Sequence, residues 1–398
     1  MTPSSDATDS EVPPHLRVLF LSTVEEAHLS PTMASTFKQL LLQHQNTFAK
    51  SSTNIGFCDL LEHDIDSRCC SRPATTSSPP LASGTAEDDL INEMLAANVI
   101  EPSTSPRASP VCLAKKPDGS YRFCVDYRRV NAVSRKDAYP IPDIQDPFDS
   151  LRGGAKYFAT IDLLSGYWQI GMTPKAQERS AFCTRRGLYH FNCMPFGLSS
   201  APAIFCRLMN RVLRDHVWCI CLCYLDDVIV YATSQRELFE RLHTTLSCLN
   251  KVGLKVKPSK CSLFKERISF LGHMVSAEGI DHQEEKIRSI QDWPVPKCVR
   301  NVRAIFGLAS YYRKFVQNFA SIAEQLSALT KKGVRFSWLP ETQEAFERLK
   351  RALADTVTLA YPQPDQTFIL DTDASDVAVG AILSTAVSVL RPSPFSRA

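Results

Sequence analysis

A chain of 398 residues that is 44% hydrophobic and 22% charged has the composition of folded protein and is long enough for two or three domains. Its formal net charge of +3 is too small to point to nucleic acid by itself, so a polyanion partner has to be met by local clustering of charge. The 14 cysteines are scattered or alternate, as in Cys219, Cys221 and Cys223, and none forms a Cys-x-x-Cys pair; this argues against a zinc site or disulfide framework and for reduced, mostly buried thiols. The opening MTPSSDATDSEVPP has no basic segment followed by an apolar one, and no later run is apolar for long enough to span a bilayer. The sequence reads as a soluble, intracellular protein with no membrane partner.

Residues 1–88 read as a largely irregular tether. A helical stretch around Phe37 to Phe48 is followed by CCSRPATTSSPPLASGTAEDD, whose Ser, Thr, Pro and Gly mark a linker. From Asp89 the texture changes to DDLINEMLAANVIEP, a helix with Leu90, Ile91, Met94 and Leu95 on one face that stops before Pro102. Residues 111–280 alternate short apolar runs with turns and two helices, the pattern of an α+β domain. In PFGLSSAPAIF, Ser199 or Ser200 is a natural helix cap with Pro202 in the first turn. On that helix Arg207, Arg211 and Arg214 read as a solvated stripe. Beyond Asp281 the pattern is mainly helical: QEEKIRSIQDW ends at Pro294, and Val302, Ile305, Phe306, Ala309, Tyr312 and Val316 recur at helical spacing. A further amphipathic helix carrying Phe346, Leu349 and Leu353 precedes a strand pair in TFILDTDASDVAVGAILS.

The chemistry concentrates in acids. CICLCYLDDVIVYA reads as a hairpin of two apolar strands with Asp226 and Asp227 at its tip. Taken alone an Asp-Asp pair is a turn, since Asp is a common turn residue. Here the turn lacks Gly and Asn, and its strands are apolar enough for a sheet centre, where neighbouring carboxylates repel unless a cation neutralises them. Asp162 follows the strand-like YFATI; an acid there is either a loop or cap residue or an interior charge in need of a partner. Together the three aspartates offer hard oxygen ligands suited to Mg2+, and phosphoryl transfer uses two such ions.

VCLAKKPDGSYRFCVDYRRVN, AYPIPDIQD, FATIDLLSGYWQI, SAFCTRRGLYHFNCMPFGLSSAPAIFCRLMN, YLDDVIVY, GLKVKPSKC, FLGHMVS and YYRKFVQNFA follow one another between Asp89 and Ser384. In that order the segments resemble the reverse transcriptases of gypsy-type LTR retrotransposons. The resemblance implies a right-hand polymerase fold, with fingers and palm over residues 89–280, a helical thumb-like region over 281–335, and a connection and truncated RNase H-like domain over 336–398. It implies templated DNA synthesis from dNTPs on a primed RNA or DNA template, with Asp162, Asp226 and Asp227 as catalytic ligands of two Mg2+ ions that Mn2+ can replace.

Basic residues outnumber acids from Arg107 to Asp137, and the resemblance assigns Lys115 or Lys116, with Arg122, to the incoming triphosphate. In the same stretch Arg128 and Asp126 are candidates for a structural pair. By the resemblance Tyr167 takes the place of the aromatic that stacks beneath the sugar and blocks a 2′-hydroxyl, although by residues alone an aromatic in GYWQI is more often core. The resemblance further implies that Phe196 and Gly197 form the floor under the nucleotide; Lys260 is a candidate to protonate pyrophosphate, and Leu271, Gly272 and His273 resemble the primer grip. His273 has the alternative of an ordinary, partly exposed histidine. Asp373 matches the first metal ligand of RNase H; the sequence has no acid after Asp376, so RNase H activity is expected to be absent. With no Asp-Ser/Thr-Gly protease motif, zinc knuckle or integrase pattern, the sequence reads as a fragment of a polyprotein or a degraded element. Other Pol or Gag products are possible partners, and a virus-like particle or the nucleus are alternatives to the cytoplasm. The rival functional reading is a non-catalytic nucleic-acid-binding relic.

Overall fold

In the computed structural model, residues 12–66, 84–116, 118–151, 154–316, 318–354, 359, 361, 367–374 and 379–385 are described. They divide into two units: residues up to Asp143 with Ala159–Lys265, and Ile144–Phe158 with Glu266 onward. No helix among them is long and apolar enough to cross a membrane.

The first unit is built on a four-stranded sheet in the order Ser262–Lys265, Tyr157–Asp162, Asp227–Ala232, Cys221–Tyr224. Cys221, Leu222, Val228, Ile229 and Val230 are all at 0% exposure, so consecutive residues are buried and the sheet is covered on both faces. One cover is helix Gln235–Lys251, with Leu238, Leu242, Leu246 and Leu249 along its buried stripe. Ser234 caps that helix by accepting from Glu237 N at 3.2 Å, and the Glu237 carboxylate accepts from Thr233 N at 2.8 Å. A five-stranded sheet runs Ile100–Pro102, Gly187–Phe191, Phe182–Thr184, Ser109–Lys115, Tyr121–Val125.

Residues 12–66 differ from the expected tether. Helices Pro14–Glu26 and Pro31–Gln43 precede strand Cys58–His63, which pairs in parallel with Ile170–Met172. Phe37 is fully buried, its ring 5.8 Å from Phe20, 5.6 Å from Phe264 and 6.4 Å from Phe239, so these helices share a core with the Gln235–Lys251 helix and the sheet. Their stripe is hard to read because Val18 is 77% and Leu21 46% exposed, which smears apolar residues around the first helix. Pro14 and Pro31, which look like breakers, sit in first turns, where a missing N–H costs nothing. The linker over residues 67–83 lies outside the described residues; the helix expected from Asp89 begins earlier, spanning Gly84–Ala96.

Other local expectations are also revised. Ser200 is at the helix N-cap but its side chain makes no capping bond; its Oγ accepts from Asp137 N at 3.3 Å instead. Arg207 is no solvated stripe member. Its guanidinium grips Asp137 through two bonds of 2.8 Å and lies 4.9 Å above the Tyr139 ring, fastening the AYPIPD segment to helix Ala201–Val212. The described cysteines are free thiols, yet Cys112, Cys219 and Cys298 are exposed, so burial is less general than expected.

The second unit holds an antiparallel sheet of Arg267–Phe270, His273–Ser276 and Gly279–His282, followed by helices Glu284–Gln291, Val299–Tyr311, Phe319–Ala328 and Pro340–Ala354. Strands Phe368–Ala374 and Val379–Thr385 pair as a hairpin.

Three histidines are buried without charge: His44 and His63 in the first unit are pushed down to about 4 and His273 in the second to about 3, in each case chiefly by burial. Below the unfolded value near 6.5 the unfolded chain binds more protons than the folded one. Stability is therefore whole above that pH and falls by about 1.4 kcal/mol per histidine for each unit of further acidification, down to the folded value. His63→Asn, which cannot take up that proton, is expected to have a shallower loss of thermal midpoint than wild type between about pH 6.5 and 4; parallel curves would show that His63 is protonated in the folded chain.

Candidate active site

Tyr224 and Asp227 are paired across strands Cys221–Tyr224 and Asp227–Ala232, which leaves Leu225 and Asp226 as the whole turn. Leu225 has φ +55° at the first turn position, the geometry of a tight hairpin normally given to glycine. A leucine there costs on the order of 1 kcal/mol, retained because the strands on either side are locked in the core. Cys223 Sγ, 3.3 Å from Leu225 O, helps to hold the turn. Asp226 and Asp227 are thereby fixed, half-buried, at the end of a sheet that admits little water.

Asp162 ends the neighbouring strand and belongs to the same cluster. Burial, and then Asp162, push the Asp226 carboxyl up; burial, then Asp226 and Asp162, push Asp227 up to about 6. The opposing cation is Lys260, whose Nζ lies 3.0 and 3.3 Å from the two Asp162 oxygens. Among the described residues no three His, Cys, Asp or Glu side chains are gathered tightly enough to grip an ion as they stand. The donor set nevertheless fits hard divalent cations: three clustered carboxylates, two of them with raised proton affinity at Asp226 and Asp227 and countered in part by Lys260, are stabilised by added positive charge.

Beside the acids, the short helix Gly166–Gln169 presents Tyr167, whose ring lies 5.0 Å from Phe196 and 5.3 Å from the fully buried Phe205. Burial and the Asp226 carboxylate raise the Tyr167 hydroxyl to about 12, so it stays neutral. Phe196 is 49% exposed, and Gly197 has φ +96°, which explains the glycine by backbone conformation. Asn131 holds this loop from both sides, donating to Gly197 O at 2.8 Å and accepting from Ser199 N at 2.9 Å.

On the hairpin Ser109–Lys115 and Tyr121–Val125, Lys115, Lys116 and Arg122 are exposed. Lys115 is opposite Tyr121 and Ala114 opposite Arg122, while Lys116 N donates to Ser120 O at 2.8 Å. Alternation puts Lys116 on Arg122's face and Lys115 on the other. Arg128 is bound to Asp126, with bonds as short as 2.6 Å, which holds that carboxyl near 2; this is the structural pair expected from the sequence.

The second unit contains Leu271, Gly272 and His273. Leu271 (φ +46°) and Gly272 (φ +76°) form a two-residue turn between Phe270 and His273. Tyr311 Oη donates to Leu271 O, and Tyr312 Oη donates to Gly272 O at 3.0 Å. His273 is not partly exposed: it is at 0% exposure, packed on Phe148, Tyr311, Tyr312 and Phe315, and neutral. Asp373 is in strand Phe368–Ala374 opposite Gly380; its side chain lies outside the described residues.

Residues 114–275 match the family model "Reverse transcriptase (RNA-dependent DNA polymerase)", and 338–395 the model "RNase H-like domain found in reverse transcriptase". The chain is 36% identical over 96% of its length to the Retrovirus-related Pol polyprotein from transposon 297 of Drosophila melanogaster, covering 36% of that protein. It is 32% identical over 91% of its length to that from transposon gypsy of the same organism, covering 37%. It belongs to the reverse transcriptases of LTR retrotransposon Pol polyproteins. The chain spans little more than a third of these relatives. The fold agrees: the foamy viral protease-reverse transcriptase in complex with RNA/DNA hybrid superposes with a TM-score of 0.85 at 21% identity, covering 96% of this chain and 51% of that one. A second foamy viral structure, dRH in complex with ds DNA, gives 0.86 at 22% identity, with 96% and 67% covered. The fold is thus the right-hand polymerase fold with an RNase H-like segment after it.

Within this reverse transcriptase, Asn131 and Gly166 were missed by sequence reasoning. Asn131 sits at the end of RRVN, and a polar amide just before a helix gives out is a weak signal. Gly166 gave none: its importance lies in space, since an added Cβ would come within 2.9 Å of Phe205 Cζ and 3.4 Å of Asp226 Cβ. Phe205 is itself at 0% exposure, inside the core. Gly166→Ala is therefore expected to destabilise the protein by about 1–3 kcal/mol, the usual cost of overpacking, read as a lower urea midpoint; an unchanged midpoint would mean that the Ser165–Gly166 turn relaxes freely.

Proposed function

We propose that this chain is the polymerase portion of a longer Pol polyprotein and extends a primer on an RNA or DNA template by adding dNTPs. The observation that carries the reading is the convergence of Asp162, Asp226 and Asp227, with raised carboxyls at Asp226 and Asp227, beside the Tyr167 ring. The foamy viral relatives in complex with RNA/DNA hybrid and ds DNA support a nucleic-acid partner.

In this reading Asp162, Asp226 and Asp227 hold two Mg2+ ions, which supply activation of the primer hydroxyl and stabilisation of the leaving pyrophosphate. The protein's own groups do the rest. Lys116 and Arg122, sharing one hairpin face, neutralise the triphosphate. Tyr167, backed by Phe196 and Phe205, occupies the space beneath the sugar where a 2′-hydroxyl would go. Lys260 carries a proton for the departing pyrophosphate, and the Leu271–His273 turn supports the primer strand. An intact set of acids beside an ordered gate favours an enzyme over a binding relic.

Primer extension by the purified chain on poly(rA)/oligo(dT) tests this. Asp162→Asn or Asp226→Asn is expected to lower Mg2+-dependent extension by about a hundredfold or more while template binding, which rests on basic contacts, survives. Near-normal extension by either variant would remove that acid from the site. Tyr167→Val is expected to admit ribonucleotides, measured as the dCTP to rCTP ratio; an unaltered ratio returns Tyr167 to the core.

RNA cleavage by an RNase H site needs acids gathered from a whole domain. The hairpin bearing Asp373 joins no further strand among the described residues. The chain is expected to leave the RNA of an RNA/DNA hybrid intact, and metal-dependent cleavage lost on Asp373→Asn would overturn that.

A further inference from the structure

Gln169 is a polar side chain at 0% exposure inside the apolar run GYWQI. A buried amide survives only if its hydrogen-bonding groups are met, and here they are met by backbone alone. Gln169 Nε2 donates to Leu164 O and to Lys255 O, both at 2.9 Å, and Oε1 accepts from Lys255 N at 2.7 Å. One amide thus ties the turn after Asp162 to the loop that leads to Lys260.

The same loop is zipped onto the catalytic strand. Leu164 N donates to Lys255 O at 3.0 Å and Lys257 N to Asp162 O at 2.9 Å. Its other edge is taken by the N-terminal segment: Val256 N donates to Thr47 O and Ala49 N to Val256 O, both at 2.8 Å, and Lys255 Nζ binds Asn46 O. Gly56 then passes so close that an added Cβ would overlap Gln169 Oε1 and Gly253 O. Gly253, at φ +73°, leaves equally little room, since its own Cβ would lie 2.6 Å from Phe57 O. Strand Cys58–His63 continues along Ile170–Met172, directly after Gln169. The layers therefore run from residues 46–63, through Gln169 and residues 253–257, to Asp162 and Tyr167.

We propose that Gln169 is a positioning residue of the catalytic centre and that residues 46–63 are a strap that presses on it, fixing the Asp162 carboxylate and the Tyr167 ring in one geometry. The proposal rests on the polymerase reading above. It assigns residues 46–63 a part in substrate selection, which acts through Tyr167, two positions from Gln169 within one short helix.

Two single substitutions in the full chain test it. Gln169→Met keeps the volume and removes the three hydrogen bonds, and Gly56→Ala forces the strap off the amide. Both are expected to reduce the preference for dCTP over rCTP by about fivefold or more, with Tyr167→Val as the reference for a lost gate. A role in folding alone would lower the amount of active enzyme and leave this ratio unchanged, because the ratio is set by the molecules that turn over. The activity-independent readout is amide hydrogen exchange: residues 162–168 and 253–257 should exchange faster in both variants while Cys221–Ala232 stays protected. If wild type extends no primer, the polymerase reading fails and exchange alone decides the positioning claim. Unchanged exchange at residues 162–168, or an unchanged ratio in variants of a working enzyme, overturns it.

Discussion

Negative charge crowded at the end of a covered sheet is the constraint around which the first unit is organised. Asp226 and Asp227 cannot leave the site, since the strands beside them are buried on both faces and the turn that carries them has only two residues. Burial and the neighbouring carboxylates lift their proton affinity, and Lys260 offsets this only in part. A site in this state gains free energy from any cation that can approach, which is the electrostatic condition a phosphoryl-transfer enzyme needs before its substrate arrives. The strain at Leu225 belongs to the same arrangement: a relaxed, longer turn would let the acids swing into water and lose their coupling.

Rigidity around the acids comes from groups that carry no charge. Phe205 and Phe196 flank Tyr167, and Asn131 ties down the loop that bears Phe196 and Gly197. In the second unit two tyrosine hydroxyls hold the carbonyls of the Leu271–Gly272 turn, while a neutral His273 fills the space beneath as an aromatic and not as a base. Both turns use a leucine at positive φ, Leu225 beside the acids and Leu271 before Gly272, and each is stabilised from outside the turn.

What could be read from the amino-acid order followed from how local each signal is. Asp162, Asp226 and Asp227 stand at the ends of apolar strands, so their chemistry is visible in short windows; the gate role of Tyr167 came only with the resemblance, because an aromatic in an apolar run looks like core. Gln169 and Asn131 act on backbone atoms 86 and 66 residues away, and no window contains both partners. The pairing of Arg207 with Asp137 escaped for the same reason across 70 residues. Helix Pro14–Glu26 was hidden by its exposed Val18 and Leu21, and its burial depends on an aromatic cluster drawn from residues 20, 37, 239 and 264.

That aromatic cluster separates two ideas of where a module begins. The reverse transcriptase family model matches residues 114–275, yet the core beneath the sheet is closed by Leu16, Phe20, Phe37 and Phe48. A fragment cut to the recognisable stretch would bare Phe239, Phe264 and Val256 to water and leave the backbone edge of residues 255–257 open to pairing with another chain. During synthesis on a ribosome the N-terminal helices emerge some two hundred residues before the helix and strand that receive them. They must wait for that helix and strand to be made before their buried faces are covered, so the order of translation delays the closing of this core.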